Sequence, residues 1–111
     1  MHKLLGAAMW VVAFHGTACL ARQEAETPFD TRANQVNKTT IEWVTTKDVQ
    51  KECEKESRRR GLGGFGFPVE ACSFWTNSRV TGNACMIITS KVTNMGVLGH
   101  ESRHCFQGAF H

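Results

Sequence analysis

Three histidines and a glutamate lie in the final segment of the chain, GHESRHCFQGAFH (99–111). His100 and His104 are four residues apart, so on a helix both imidazoles project from one face, one turn apart. That spacing allows two histidines to bind one tetrahedral zinc ion, and Glu101 is placed to reach a water on that ion. Zinc lowers the pKa of such a water to about 7, and a carboxylate can take its proton as the water attacks a carbonyl. The pattern predicts a zinc site with Glu101 as general base.

His111 is the candidate for a third zinc ligand, seven residues beyond His104. A continuous helix would carry it about 10 Å along the axis, and zinc–nitrogen bonds of about 2 Å cannot span that distance. Gly108 lies between the two histidines and can end the helix in a left-handed conformation, which turns the chain back. We therefore predict that His100, His104 and His111 bind Zn²⁺ together.

The residues upstream of this motif predict a strand and a helix, which are the first elements of a small domain spanning 39–111. Residues 39–46, TTIEWVTT, are rich in β-branched side chains and alternate in polarity, which is typical of a strand. Residues 48–61 predict a surface helix with Asp48 as its cap and Gly61 as its stop. The glycine-rich stretch 61–68 lacks the spacing of a phosphate-binding loop and is interpreted as a turn.

Two further strands and a second helix complete the predicted domain. The runs EACSFWT and ACMIITS flank a predicted hairpin at 77–83, and Asn94 or Thr93 can cap a helix that carries the histidines. This order predicts an α+β fold: a small antiparallel sheet with a backing helix and a C-terminal metal-binding helix. Phe74 and Trp75, on the hairpin, are interpreted first as core residues and second as the border of a cleft.

Residues 1–21 have the layout of a secretory signal peptide: Lys3, an apolar run up to Phe14, and small residues after it. Cleavage after Ala21 would fit those small residues. Alternatively, the stretch GTAC ending at Cys19 resembles a bacterial lipobox, and Cys19 would then be lipidated and anchor the protein to a membrane. Residues 22–38 are interpreted as a linker. We expect an exported protein, periplasmic or attached to the outer membrane.

The cysteine count agrees with export. With Cys19 removed or modified, four cysteines remain, which suggests two disulfides among three possible pairings. Matched positions in the two hairpin strands favour a Cys72–Cys85 bond, which leaves Cys53–Cys105 to tie the helices together. Cys105 is rotated about 100° from His104 on the helix, so a disulfide is a better interpretation of it than a fourth metal ligand.

The net charge gives no support to nucleic-acid binding. The chain carries a formal charge of +3, and loss of the leader with its Lys3 lowers this by one. The run Arg58-Arg59-Arg60 falls at the end of a predicted helix, where cations complement the helix dipole.

HESRH (100–104) matches the HExxH motif of the zincin metallopeptidases, and the following Gly108 and His111 resemble the metzincin extension of that motif. The extension normally reads HExxHxxGxxH, whereas this chain has one additional residue before the glycine. All four methionines lie upstream, so the methionine turn of the metzincins is absent. The ending also resembles that of small exported bacterial proteins. The resemblance implies a zincin-like domain over 39–111 that hydrolyses peptide bonds.

Two functions are consistent with this sequence. The first is a small exported zinc metallopeptidase that acts on peptides or proteins, with the strand before the last helix offering its edge to an extended substrate. The second is a non-catalytic zinc-binding, disulfide-stabilised binding module. The second is favoured by the lack of chain after His111 for a lower cleft wall and by the absence of tyrosine, which leaves Arg103 or a partner to stabilise an oxyanion.

Overall fold

A computed structural model of the protein describes residues 28–111. These residues contain three strands and two longer helices: β1 (Thr40–Thr46), α1 (Val49–Arg59), β2 (Cys72–Ser78), β3 (Gly82–Ser90) and α2 (Met95–Gln107). A short 3₁₀ turn, Thr31–Ala33, precedes β1. The predicted α+β class is confirmed. The predicted signal peptide and Cys19 lie outside the described residues, which contain no helix long and apolar enough to span a membrane.

The sheet is mixed and has the order β1-β3-β2, so the prediction of an antiparallel sheet was wrong for one of its two pairings. β2 and β3 form the expected antiparallel hairpin, but β1 pairs parallel to β3. β3 takes the central position because it is apolar on both of its faces. Cys85 and Ile87 are buried on one face and Ile88 on the other, as in a strand covered by helices on both sides.

The two helices pack on opposite faces of this sheet. The α1 face has a core of four buried residues: Cys53, Cys72, Phe74 and Ile88. The α2 face has a core of Cys85, Ile87 and Cys105, with Trp75 and Leu98 packed against it. The 2-residue period of β2 and β3 divides their side chains between these two cores.

All four predicted cysteines form disulfides, but the predicted pairing was wrong. The bonds are Cys53–Cys72 and Cys85–Cys105. In the β2–β3 register Cys72 pairs with Ile88 and Cys85 pairs with Trp75, so the two cysteines lie on opposite faces of the sheet. Each of these two cysteines is therefore bonded to a cysteine of the helix on its own face, and not to a cysteine of the neighbouring strand. The result is one helix-to-strand disulfide on each face.

The helix boundaries agree with the caps predicted from the sequence. The Asp48 side chain accepts a hydrogen bond from the backbone N–H of Lys51, and that of Asn94 accepts one from Val97. Gly61, just after α1, has a φ of 74°, as expected of a glycine that stops a helix.

Residues 30–36, within the predicted linker, are hydrogen-bonded to the last turn of α2. The backbone N–H groups of Gln35 and Val36 donate to the carbonyl of Phe106, and the Gln107 side chain donates to the carbonyl of Asp30. The two bonds to the Phe106 carbonyl satisfy a backbone group that the end of a helix leaves without an intrahelical partner. The segment thus holds the end of α2, from which the C-terminal histidine emerges.

Candidate metal centre

Two of the predicted ligands, His100 and the buried His104, lie on one face of α2, one turn apart. The rings of His100 and His104 have centroids 5.0 Å apart, as the i, i+4 spacing requires. The Cys85–Cys105 disulfide fixes the next residue, Cys105, to the central strand β3. The helix is therefore held covalently to the sheet directly beside His104.

The third histidine returns to this face because α2 ends at Gly108. Gly108 has a φ of 67°, and its N–H donates to the carbonyl of His104. The chain then reverses, and the Nε2 atom of His111 lies 3.2 Å from Nε2 of His100 and 2.9 Å from Nε2 of His104. The predicted turn at Gly108 is confirmed, but its ψ of −140° lies outside the left-handed helical region.

His100, His104 and His111 form a group that could hold a metal ion. Their three candidate ligand atoms all lie within 4.8 Å of one another, and Glu101 does not belong to the group. Nε2 of His111 approaches two other ring nitrogens, but a single N–H can be aimed at only one of them. A cation at this point could accept a lone pair from each of the three rings.

The orientation of His104 is fixed by a hydrogen bond on the far side of its ring. Its Nδ1 lies 2.6 Å from the carbonyl oxygen of Gly108, and because a carbonyl only accepts, Nδ1 must carry the proton. Nε2 then presents its lone pair to the other histidines, the arrangement found in metal-binding histidines. Burial lowers the pKa of His104 below its usual 6.5, which favours the neutral, metal-binding form.

Aromatic side chains pack against the histidine group. Trp75 of β2 stacks on His104 with an interplanar angle of 3°, and Phe110 packs on the same ring at a centroid distance of 4.4 Å. Phe110 also contacts the rings of His100 and His111. Trp75 therefore borders the site as well as packing against the core, the lesser of the two interpretations made from the sequence.

Arg103 does not take the position that an oxyanion-stabilising group would need. Its guanidinium lies 4.0 Å from the centre of the Phe110 ring, and its Nε donates to the Gln107 side chain. It lines a depression with Phe29 and Phe106 that includes none of the three histidines. Arg103 instead supports the C-terminal turn, by holding the ring that packs against all three histidines.

Glu101 lies beside the histidines and is held from the neighbouring strand. It is only 8 % exposed, and its Oε2 accepts a 2.7 Å hydrogen bond from the hydroxyl of Ser73 on β2. Ser73 lies on the α2 face of the sheet because it alternates with the core residues Cys72 and Phe74. No motif in the sequence singles out Ser73, and only the packing of α2 on β2 reveals this contact.

A groove of about 470 Å³ contains the histidines and Glu101. Its other boundaries are formed by the β2 residues Cys72, Ser73 and Trp75 and by the preceding segment 65–71. The sequence-based expectation that the strand before α2 offers a free edge was wrong, because that strand, β3, is paired on both sides. Among the described strands, the one with an unpaired edge beside the groove is β2.

Comparison of the chain with protein-family models, with curated proteins and with solved structures gives no match. The interpretation of the site therefore depends on the residues and their geometry.

Proposed function

We propose that this protein is a small exported zinc-dependent metallopeptidase. The observation that carries the proposal is the convergence of His100, His104 and His111 in a groove that also contains a buried carboxylate, Glu101. The resemblance of HESRH to the zincin motif supports the same assignment.

The donor set fits zinc in its chemistry and in two of its three nitrogen–nitrogen separations. Three imidazole nitrogens are a known ligand set for catalytic zinc, whose fourth position is left for water. Two zinc–nitrogen bonds of about 2.05 Å at a tetrahedral angle place their nitrogens about 3.3 Å apart. The separations of 3.2 and 2.9 Å from Nε2 of His111 are close to this value. Bound zinc would supply a water acidic enough to act as a nucleophile near neutral pH.

Glu101 is suited to accept the proton of that water. It follows His100 directly in the sequence and lines the same groove without belonging to the ligand group. The hydrogen bond from Ser73 limits rotation of the carboxylate, which reduces the reorganisation needed before proton transfer.

The neighbouring strand supports an extended peptide as the substrate. The outer edge of β2 is unpaired among the described strands, and its residues Ser73 and Trp75 line the groove. A peptide added to this edge as a further strand would gain main-chain hydrogen bonds and lie across the histidine group. The two disulfides support an oxidising location such as the periplasm or cell exterior.

One observation favours the alternative, a non-catalytic zinc-binding module. Arg103 packs on Phe110 outside the groove, and the chain contains no tyrosine that could stabilise an oxyanion beside the metal. In that case the groove would bind a peptide without cleaving it.

Replacement of Glu101 by glutamine separates the two functions. We expect Glu101→Gln to retain one zinc per protein and to reduce peptide turnover by about 10²–10⁴, the usual contribution of a general base. His111→Ala should instead lose zinc, and activity should fall with occupancy. Glu42→Gln, an exposed glutamate on the other face of the sheet, is the matched control and should leave both properties unchanged.

The decisive measurement combines zinc analysis with cleavage of peptide libraries. If the zinc-loaded wild type cleaves no peptide or unfolded protein, the non-catalytic function replaces the proposed one. If His100→Ala and His104→Ala both retain full zinc, the metal site itself is assigned incorrectly.

A further inference from the structure

The glycine-rich connection between α1 and β2 forms one side of the groove. The sequence suggests only a turn, but five apolar residues of this connection line the groove: Phe65, Phe67, Pro68, Val69 and Ala71. We refer to residues 65–71 as the aromatic wall. It precedes β2 directly, so it continues the surface formed by the free edge of that strand.

The aromatic wall is held in place by side chains of α1. Glu54 accepts a hydrogen bond from the N–H of Phe65, and Gln50 accepts one from Val69 while donating to the carbonyl of Phe67. At Gly64, an added Cβ would meet the Glu54 carboxylate, so a side chain here would require that carboxylate to shift. The wall is therefore preformed, because its backbone is hydrogen-bonded to α1 side chains at Phe65, Phe67 and Val69.

The rings of the wall differ in their environment. Phe65 packs edge-on against Phe74 of the α1-face core and against Phe67. Phe67, by contrast, is 60 % exposed. A rigidly supported, exposed aromatic ring that lines the same groove as convergent polar groups is characteristic of a ligand-binding surface.

The charged residues that line the groove indicate which side chains of a ligand the wall would bind. Among residues 28–111, no lysine or arginine lines the groove, and Glu70 is the charged residue of the wall itself. An acidic side chain would therefore meet no counter-charge here. The remaining lining residues of the wall, together with Val97 of α2, are apolar.

We propose that the aromatic wall is a specificity site that binds a large apolar side chain, aromatic or long aliphatic, of an extended peptide. The inference rests on the proposed function, since the peptide is the substrate of the metal site in the same groove. Phe67 supplies the exposed contact surface, and the β2 edge aligns the peptide main chain so that its side chain reaches the wall.

The experiment compares peptides that differ at one position, with Phe, Leu, Ala, Lys or Asp at the varied residue. For the zinc-loaded wild type we expect kcat/KM to be about 10–100-fold higher for Phe and Leu than for Ala, a typical discrimination by an apolar pocket. Phe67→Ala should reduce this preference to within a few-fold while leaving thermal stability unchanged, because the side chain is mostly exposed. Leu62→Ala is the matched control, since Leu62 is exposed on the same connection but does not line the groove.

Peptide binding to zinc-loaded Glu101→Gln gives a readout that does not require turnover. Binding that prefers Phe to Ala and depends on Phe67, without cleavage by the wild type, would support the aromatic wall and contradict the peptidase function. Cleavage at equal rates for Phe and Ala peptides, or an unchanged preference in Phe67→Ala, would contradict the specificity site. Neither result would contradict the peptidase function. A preference for Lys that is lost in Glu70→Gln would also contradict the specificity site, as would the absence of any peptide binding.

Discussion

The two faces of the sheet have the same covalent plan but bury different chemistry. On each face a helix is tied to a strand by one disulfide, with nearly equal sequence separations of 19 and 20 residues. The buried residues of α1 are Cys53 and Ser57, whereas those of α2 include Glu101, His104 and Gln107. The α1 face thus resembles an ordinary core, and the α2 face does not.

The polar residues of α2 are buried with specific partners. Glu101 is bonded to Ser73, His104 to the Gly108 carbonyl, and Gln107 to Asp30 and Asn34. Burying polar groups lowers stability unless they are hydrogen-bonded, so a fold that buries three on one helix and satisfies each is organised around them. The comparison indicates that the α1 face mainly stabilises the fold, whereas the α2 face positions the side chains of the candidate metal site.

The largest expected effects come from removing each disulfide by a pair of Cys→Ala substitutions. Loss of either bond should lower the free energy of unfolding by about 3 kcal/mol, because the closed loops are of similar length. Only Cys85→Ala/Cys105→Ala should also weaken zinc binding, since Cys105 adjoins His104. Denaturation in the presence of a chelator and zinc titration of the folded protein measure the two effects separately. Equal zinc affinities in both double variants would contradict the conclusion that the α2 face, and not the α1 face, positions the metal ligands.

Phe110→Ala should weaken zinc binding by about 10–100-fold, the usual effect of losing support around metal ligands. Phe110 contacts all three histidine rings and is itself covered by Arg103. Phe29→Ala is the control, because Phe29 also lies near Arg103 but in a depression that includes none of the three histidines. Competition with a chromophoric chelator measures the affinity. Identical zinc affinities for the two variants would show that Phe110 does not position the ligands.

The glycines that follow the two helices should differ in their tolerance of alanine. Both have positive φ, 74° at Gly61 and 67° at Gly108, so either substitution should cost about 1–2 kcal/mol. An added Cβ at Gly61 meets nothing within 4 Å, whereas at Gly108 it would lie 2.8 Å from the Gln35 side chain. We expect Gly108→Ala to be the more destabilising in chemical denaturation and the only one of the two to reduce zinc affinity. A greater loss of stability in Gly61→Ala would be the opposite of this prediction.

The smallest effect is expected on the α1 surface, at Glu56. Hydrogen bonds from Arg59, reinforced by Arg60, lower the pKa of Glu56 from 4.5 to about 2. The contribution of this carboxylate to stability is therefore complete above pH 4.5 and is lost as the pH falls towards 2. Glu56→Gln should lower the free energy of unfolding by up to about 1 kcal/mol at pH 7 and by almost nothing near pH 2. Zinc affinity should not change. If the difference in the free energy of unfolding between wild type and Glu56→Gln is the same at all pH values, the ion pairs are not the cause of that difference.

Local sequence signals were sufficient to predict much of the scaffold and the ligand set. The caps Asp48 and Asn94 and the turn at Gly108 follow from the backbone preferences of single residues, and the structure confirms them. The grouping of His100, His104 and His111 follows from helix periodicity together with that turn. These predictions succeed because each depends on residues only a few positions apart.

The disulfide pairing, the order of strands and the surroundings of Glu101 were decided by the tertiary structure alone. Cys72 and Cys85 occupy similar places in consecutive strands, yet the hairpin register places them on opposite faces of the sheet. The contact between Ser73 and Glu101 joins residues 28 positions apart. Such relations depend on which strands become neighbours and on which face a helix packs. Those choices are made by the burial of apolar surface across the whole domain, so no local spacing in the sequence encodes them.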